Sequence, residues 1–227
     1  MTRQAPRDRL RQAAFSLFEE RGYEQSTVED ITERAGLGRT TFFRNFRSKE
    51  DVIFPDHDRM LGQIKERLAT SSHGTALAAV SDAARLVLLH YLDEGNLARQ
   101  RYALTSKVAA LRDREIASVA RYQRLFREFI AQWMGDQAES ASLRAELMAA
   151  AVVAAHNHVL RRWLRAECAD PLGEFDTAVQ QVTRLLTAVT AGAGTDGDGT
   201  TVVAFRTGQD LDALLPSLRR LVEDAVR

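Results

Sequence analysis

Between residues 27 and 50 the chain reads Thr-Val-Glu-Asp-Ile-Thr-Glu-Arg-Ala-Gly-Leu-Gly-Arg-Thr-Thr-Phe-Phe-Arg-Asn-Phe-Arg-Ser-Lys-Glu, and no other stretch constrains the fold as much. Val28, Ile31 and Ala35 recur at i, i+3 and i+7 and share one helical face, while Glu29, Asp30, Glu33 and Arg34 cover the rest. Thr27 can cap that helix by accepting an amide hydrogen bond from its first turn. Gly36-Leu37-Gly38 supplies a tight turn, with Gly36 suited to the left-handed conformation and Leu37 able to pin the turn onto a core. A second short helix follows from Arg39, and Phe42 and Phe46 give it a buried face. Projection at ~3.6 residues per turn puts Thr40, Arg44 and Arg47 opposite, with Thr41 on the flank. Arg39, Arg44, Arg47 and Lys49 lie in this segment without an acid between Gly36 and Lys49. Two helices around a glycine turn thus bring base-reading donors and phosphate-binding cations together. On spacing alone, a short helical hairpin of a bundle that never meets DNA stays equally open.

A wider set of residues carries a resemblance. Arg21-Gly22-Tyr23, Ser26-Thr27-Val28, Asp30-Ile31, Arg34-Ala35-Gly36, Thr41-Phe42-Phe43-Arg44-Asn45-Phe46 and Ser48-Lys49-Glu50 resemble, in order and spacing, the signature of the TetR family of one-component bacterial transcriptional regulators. The match runs over about residues 7–60. It implies an all-α fold: an N-terminal three-helix helix-turn-helix DNA-binding domain, residues 1–50, then a helical ligand-binding and dimerisation domain, residues 51–227. It also implies a homodimeric repressor on a palindromic double-stranded DNA operator, released by a small-molecule effector. The DNA contacts implied are Thr27, Arg39, Thr40, Thr41, Phe43, Arg44, Asn45, Arg47 and Lys49. Arg44 is expected to choose bases and Lys49 to hold a phosphate. Three residues depart from the pattern: Gly38 replaces a capping serine, Phe43 a tyrosine whose hydroxyl could reach a phosphate, and Thr32 an alanine.

The balance of 31 basic and 31 acidic residues argues against a protein that coats DNA through its whole surface. The positive charge is local: Arg3, Arg7, Arg9 and Arg11 make a basic arm, and the turn and second helix a second patch. No apolar run approaches the ~20 residues of a membrane span, and the N-terminus has no apolar signal core, so a cytoplasmic protein without a membrane partner is expected. The single cysteine, Cys168, reads as a packing residue, with a redox sensor as the alternative.

Helices are expected over about 6–21, from Ser48 to about residue 69, and over about 76–92, 113–134, 141–166 and 174–190, with a shorter pair over 97–110. Pro55 falls inside the fourth and should kink or split it. The low-complexity stretch 191–200 reads as a flexible loop, residues 200–204 have a β-like flavour, and 209–226 patterns as a final amphipathic helix. The helix at 141–166 is apolar all round over residues 149–155, which implies burial on several sides. By the resemblance, it and the helix at 174–190, with Phe175, Val179, Val182, Leu185 and Leu186, form the dimer interface.

A ligand cavity in the body is expected to draw on Tyr122, Phe126 and Trp133 from the aromatic stripe that also holds Phe129, on His90, Tyr91 and Tyr102, and on His156. Each of these is equally at home in a plain core. His156 and His158 point about 200° apart on one helix and cannot grip one metal. No phosphate loop, paired-cysteine motif, His-Glu-x-x-His or Gly-x-Ser-x-Gly occurs, so neither a catalytic residue nor a cofactor is expected. The rival readings are an architectural DNA-binding protein without a ligand and a metal-dependent helical enzyme built on His156, His158, Cys168 and Glu146.

Overall fold

Helices make up all the regular structure of the residues described by the computed structural model, 5–135 and 139–191. They are α1 (Pro6–Arg21), α2 (Val28–Ala35), α3 (Arg39–Asn45), α4 (His57–Ala69), α5 (Ala76–Glu94), α6 (Asn96–Lys107), α7 (Ala109–Met134), α8 (Glu139–Leu164) and α9 (Pro171–Ala191), with a 3-10 turn at Glu50–Val52. The expected all-α architecture holds. The loop at 191–200, the β-like residues 200–204 and the final helix at 209–226 lie outside the described residues.

Local chemistry explains the first three helices. Pro6 opens α1, where its missing N–H is no loss and its φ is already helical. Thr27 and Asp30 form a reciprocal capping box at the start of α2: the Thr27 hydroxyl accepts from the Asp30 amide at 3.2 Å and the Thr27 amide donates to Asp30 Oδ2 at 2.8 Å. Gly36 ends α2 in the left-handed region, φ 60°, where a side chain would be strained, and its missing Cβ leaves room for the Arg9 guanidinium. Arg9 donates to the Ala35 carbonyl at 2.5 Å and closes the end of α2. Thr32 is buried, and its hydroxyl is satisfied by the Glu29 carbonyl at 2.9 Å, so this departure leaves no polar group unpaired.

The fourth helix differs from the sequence expectation. It does not run on from Ser48: the chain makes the 3-10 turn, breaks at Pro55, and starts α4 at His57, capped by the Asp56 carboxylate accepting from the Arg59 amide at 3.1 Å. Proline lacks the donor a continuous helix needs and clashes with the preceding turn, so it splits the helix instead of bending it. The expected pair over 97–110 is the single helix α6, and α7 begins at Ala109, just after an extended Val108.

Two apolar cores result. One gathers Leu10, Ala14, Leu17 and Phe18 of α1, Ile31, Phe42, Phe46, Val52, Ile53 and Phe54, and is closed by Leu111 of α7. The other fills the body between α4, α5, α7 and α8, with Ile64, Val80, Leu88, Phe126, Ile130, Val152 and Phe175 among its members.

Candidate nucleic-acid interface and ligand cavity

The reading head is built so that α3 buries Phe42 and Phe46 and turns its other side outward. Thr40, Phe43 and Arg44 are exposed there and Thr41 is half-buried. Gly38 precedes α3 without a side-chain cap, although its carbonyl accepts from the Thr41 and Phe42 amides at 2.9 and 3.1 Å. Arg39 pairs with Glu29 of α2 and lies over the Phe43 ring, 5.6 Å from its centroid, which fixes α3 against α2. Arg44 has no ion-pair partner among the described residues, and its guanidinium is available for a base edge or phosphate.

The other residues of the expected contact set divide. Thr27 is exposed but already engaged in its capping box. Asn45 spends its amide on the Thr41 carbonyl at 2.7 Å. Arg47 lies past the end of α3, not on its outward face, because Phe46 is already extended. Lys49 turns inward: its ammonium donates to the carbonyls of Tyr23 and Ser26 at 2.8 and 2.9 Å and sits 4.1 Å from the Tyr23 ring centroid. Together with the Tyr23 hydroxyl donating to Glu50 at 2.5 Å, it clasps the loop between α1 and α2. Arg7 of the expected basic arm, with Arg114 and Arg121, which sequence reasoning missed, lines a 450 Å³ groove beside Arg44 and Arg47, where Arg114 pairs with Asp51 and Arg121 with Asp58. Arg114 and Arg121 come from α7 and are visible at this place only in three dimensions.

The body holds a small cavity of about 50 Å³. Of the expected ligand residues, Tyr91, Tyr122, Phe126 and His156 border it; the others do not. His90 faces a separate pocket next to Arg11 and Glu94, Tyr102 accepts a hydrogen bond from Arg165 at 3.1 Å, and Trp133 is 46% exposed beside Phe129. The lining also includes His57, Glu115, Ser118 and Asn157, which the sequence reading did not single out. His57 Nδ1 lies 2.8 Å from the Tyr122 hydroxyl, which in turn is 3.2 Å from Met60 Sδ. His156 Nδ1 lies 3.2 Å from Asn157 Oδ1, and its ring meets Phe175 edge-on at 6.2 Å. Burial pushes both imidazoles down to about 4, with Arg101, Arg121 and Arg114 adding to the effect at His57. Both rings are therefore neutral at neutral pH. Burial likewise pushes the Tyr122 hydroxyl up and that of Tyr91 to about 12, so both phenols keep their protons.

On α8, Leu143 (63% exposed) and Leu147 (53%) continue into exposed Ala154 and His158, a stripe at helical spacing that nothing described covers. Leu185 of α9 is 69% exposed, whereas Phe175 is buried and Val179, Val182 and Leu186 pack on the body core. Residues 149–155 are accordingly not buried all round. His156 is inside and His158 outside, as their spacing requires, and no metal-sized cluster of His, Cys, Asp or Glu exists among the described residues. Burial and the Glu174 carboxylate push the Cys168 thiol up, away from the thiolate a redox sensor needs. No helix among the described residues is long and apolar enough to cross a membrane.

A helix-turn-helix head presenting an unpaired arginine, joined to a helical body with an internal cavity, defines a DNA-binding regulator. The family model of bacterial regulatory proteins, tetR family, matches residues 10–54, and that of the MftR C-terminal domain matches residues 74–190. The chain belongs to the TetR family, whose members are transcriptional regulators and not enzymes. It is 36% identical over 122 residues to the HTH-type transcriptional regulator TcmR of Streptomyces glaucescens, a match covering 52% of this chain and 52% of TcmR, so it spans about half the length of that relative. Its fold is similar to that of NalD, the secondary repressor of the MexAB-OprM multidrug efflux pump in Pseudomonas aeruginosa (TM-score 0.54, 18% identity, 79% of this chain and 94% of that one). It is also similar to SmeT in a SmeT–triclosan complex (TM-score 0.54, 18% identity, 90% of this chain and 100% of that one).

Proposed function

We propose that the protein is a cytoplasmic repressor that binds a near-palindromic operator as a homodimer and leaves it when a small, mainly apolar molecule enters the body. The observation that carries this reading is the position of His57. It borders the body cavity and is also the first residue of α4, one residue beyond the Pro55-Asp56 break that leads to the reading head. Small-molecule sites typically occupy about 300–1,000 Å³, and the cavity here is about 50 Å³. A ligand of ordinary size must therefore push α4, α5, α7 and α8 apart, and it favours a conformation different from this one. Displacing the start of α4 displaces the head, and two heads whose helices no longer match the groove spacing lose the operator.

The exposed leucines of α8 and α9 support two-fold pairing through these helices, since an apolar stripe of this kind is costly to leave in water. The structural likeness to a repressor and to SmeT in its complex with triclosan agrees with repression and ligand release. The test is footprinting of the purified protein across genomic DNA, followed by sedimentation. Inverted half-sites one or more helical turns apart, roughly 34–36 Å each, and a dimer are expected; an asymmetric single half-site bound by a monomer overturns the proposal.

A further inference from the structure

The cavity's hydrogen-bonding protons can be assigned one by one. A thioether has no proton to give, so the Tyr122–Met60 contact at 3.2 Å requires the Tyr122 hydroxyl to donate. A phenol has one proton, so it can serve only one of its two neighbours. The roles in the 2.8 Å contact to His57 depend on the tautomer of its ring, and both contacts of the hydroxyl are hydrogen bonds together only when His57 Nδ1 carries the proton. At His156 the partner of Nδ1 is the Asn157 amide oxygen, an acceptor, so Nδ1 carries the proton there too. A neutral imidazole holds one N–H, which leaves Nε2 of each ring as a bare lone pair. Both Nε2 atoms are shut off from solvent and have no partner among the described residues.

The rest of the lining narrows what can answer them. Ala84, Val87, Val119, Phe126, Val153 and Leu160 are apolar, and the Ser118 hydroxyl is already donated to the Arg114 carbonyl at 3.0 Å. Glu115 adds a further acceptor. A carboxylate ligand would bring lone pairs against lone pairs. A cation would meet, at His57, the positive field of Arg101, Arg121 and Arg114, which outweighs that of Asp58 there, and only Glu115 in the lining would draw it in. We propose that the cavity takes a neutral, mainly apolar ligand bearing two hydrogen-bond donors, an aromatic diol in the simplest case, which donates to Nε2 of His57 and Nε2 of His156. This rests on the ligand-release reading above and names the chemistry of its ligand. A site built around unpaired acceptors rejects an analogue that lacks the donors far more strongly than it rejects a change in size. Because His57 opens α4, the donor it receives acts at the joint to the reading head.

The experiment is calorimetric titration of the full chain at neutral pH with four probes: a naphthalenediol, its dimethyl ether, naphthoate, and naphthylmethylammonium. The diol is expected to bind about tenfold or more tighter than each of the others. His156→Leu should remove most of the preference for diol over ether, and His156→Gln, which restores an acceptor, should recover part of it. Nitrogen NMR of labelled histidine should show both rings protonated at Nδ1. Equal binding of diol and ether, tightest binding of naphthoate or the ammonium probe, no binding of any probe, or a proton on either Nε2 overturns the proposal. Operator binding by the unliganded protein is measured in parallel; its absence would overturn the repressor reading and leave the order of the four probes as a separate result.

Discussion

Arg101 donates from Nε to the carbonyl of Ile53 at 2.7 Å, and through this bond α6 of the body holds the segment that leaves the reading head. Arg101 is 1% exposed, and its Nη2 donates to Glu94 Oε2 of α5, also at 2.7 Å. Glu94 in turn lies 3.7 Å from Arg11 of α1. One buried ion pair therefore joins head, joint and body.

Removing one partner of a buried pair typically costs about 3–5 kcal/mol, and Arg11, still 3.7 Å from Glu94, sets the loss at the lower end of that range. Arg101→Met should lower stability by that amount, on the order of 10 °C in melting temperature for a chain of this size. Arg101→Lys should recover only a fraction, since an ammonium lacks the planar fork that reaches Ile53 and Glu94 together. Thermal melts of the two variants check this. A loss under about 1 kcal/mol for Arg101→Met would mean that the pair behaves as a surface contact.

In the reading head, Arg44→Ala should weaken operator binding by about 1–3 kcal/mol and relax the choice of base at one position. Lys49→Met should behave differently. Its ammonium holds two loop carbonyls, so the variant should unfold more easily and lose affinity for operator and scrambled DNA alike. Titrations on both DNAs, with melts alongside, separate the two. If Arg44→Ala weakens both DNAs equally, Arg44 is a phosphate contact and the base reader lies elsewhere on α3.

What the sequence made legible was local. Thr27, Gly36, Phe42 and Phe46 act within a few residues of themselves, so capping and periodicity place them correctly. Long-range partners are invisible to such rules. Lys49 looks like a phosphate ligand until Tyr23, 26 residues away, supplies its carbonyl, and His57 looks like one more polar residue until Tyr122, 65 residues on, comes within 2.8 Å. Ser48 and Pro55 gave opposing signals about the fourth helix, and proline prevailed because its effect is covalent. Trp133 shares a helical face with Tyr122, but lies roughly 16 Å further along the axis, outside the cavity lining and half exposed. Periodicity reports the face of a helix and says nothing about where its neighbours end.

Acid should destabilise the body. His57 and His156 titrate near 4 in the fold against an ordinary 6.5, so the unfolded chain binds more protons between these values. Their contribution is complete above pH 6.5 and is lost as the pH falls towards about 4. The loss reaches at most about 3 kcal/mol at His156 and less at His57, which solvent partly reaches. Urea denaturation across that range should show a falling midpoint, with a shallower fall in His156→Leu. Equal pH dependence in the two proteins would mean that His156 is not the buried base it looks to be.

Leu143→Glu with Leu147→Glu should prevent dimerisation, because two charges would replace the exposed apolar start of α8. Sedimentation should then show monomers at concentrations where the parent is a dimer. Each head would still fold, yet operator affinity should fall steeply once the second half-site contact no longer assists the first. A variant that stays dimeric would place the interface on another face.

The final prediction concerns Pro55. It separates the 3-10 turn from α4 and fixes the backbone between Ile53, held by Arg101, and His57, at the cavity. Pro55→Ala restores a backbone donor and removes the fixed φ, so α4 can extend backwards and the joint can take more than one conformation. Ligand binding and DNA binding are coupled only through the difference between two conformations of this joint. Softening it should shrink the ratio of operator affinities without and with ligand, which in systems of this kind is about 5- to 150-fold. Ligand affinity itself should change much less, because Pro55 does not border the cavity. The measurement is operator affinity with and without a saturating effector, found by screening small molecules for operator release, in both proteins. An unchanged ratio would show that the break at Pro55 shapes the fold and takes no part in release.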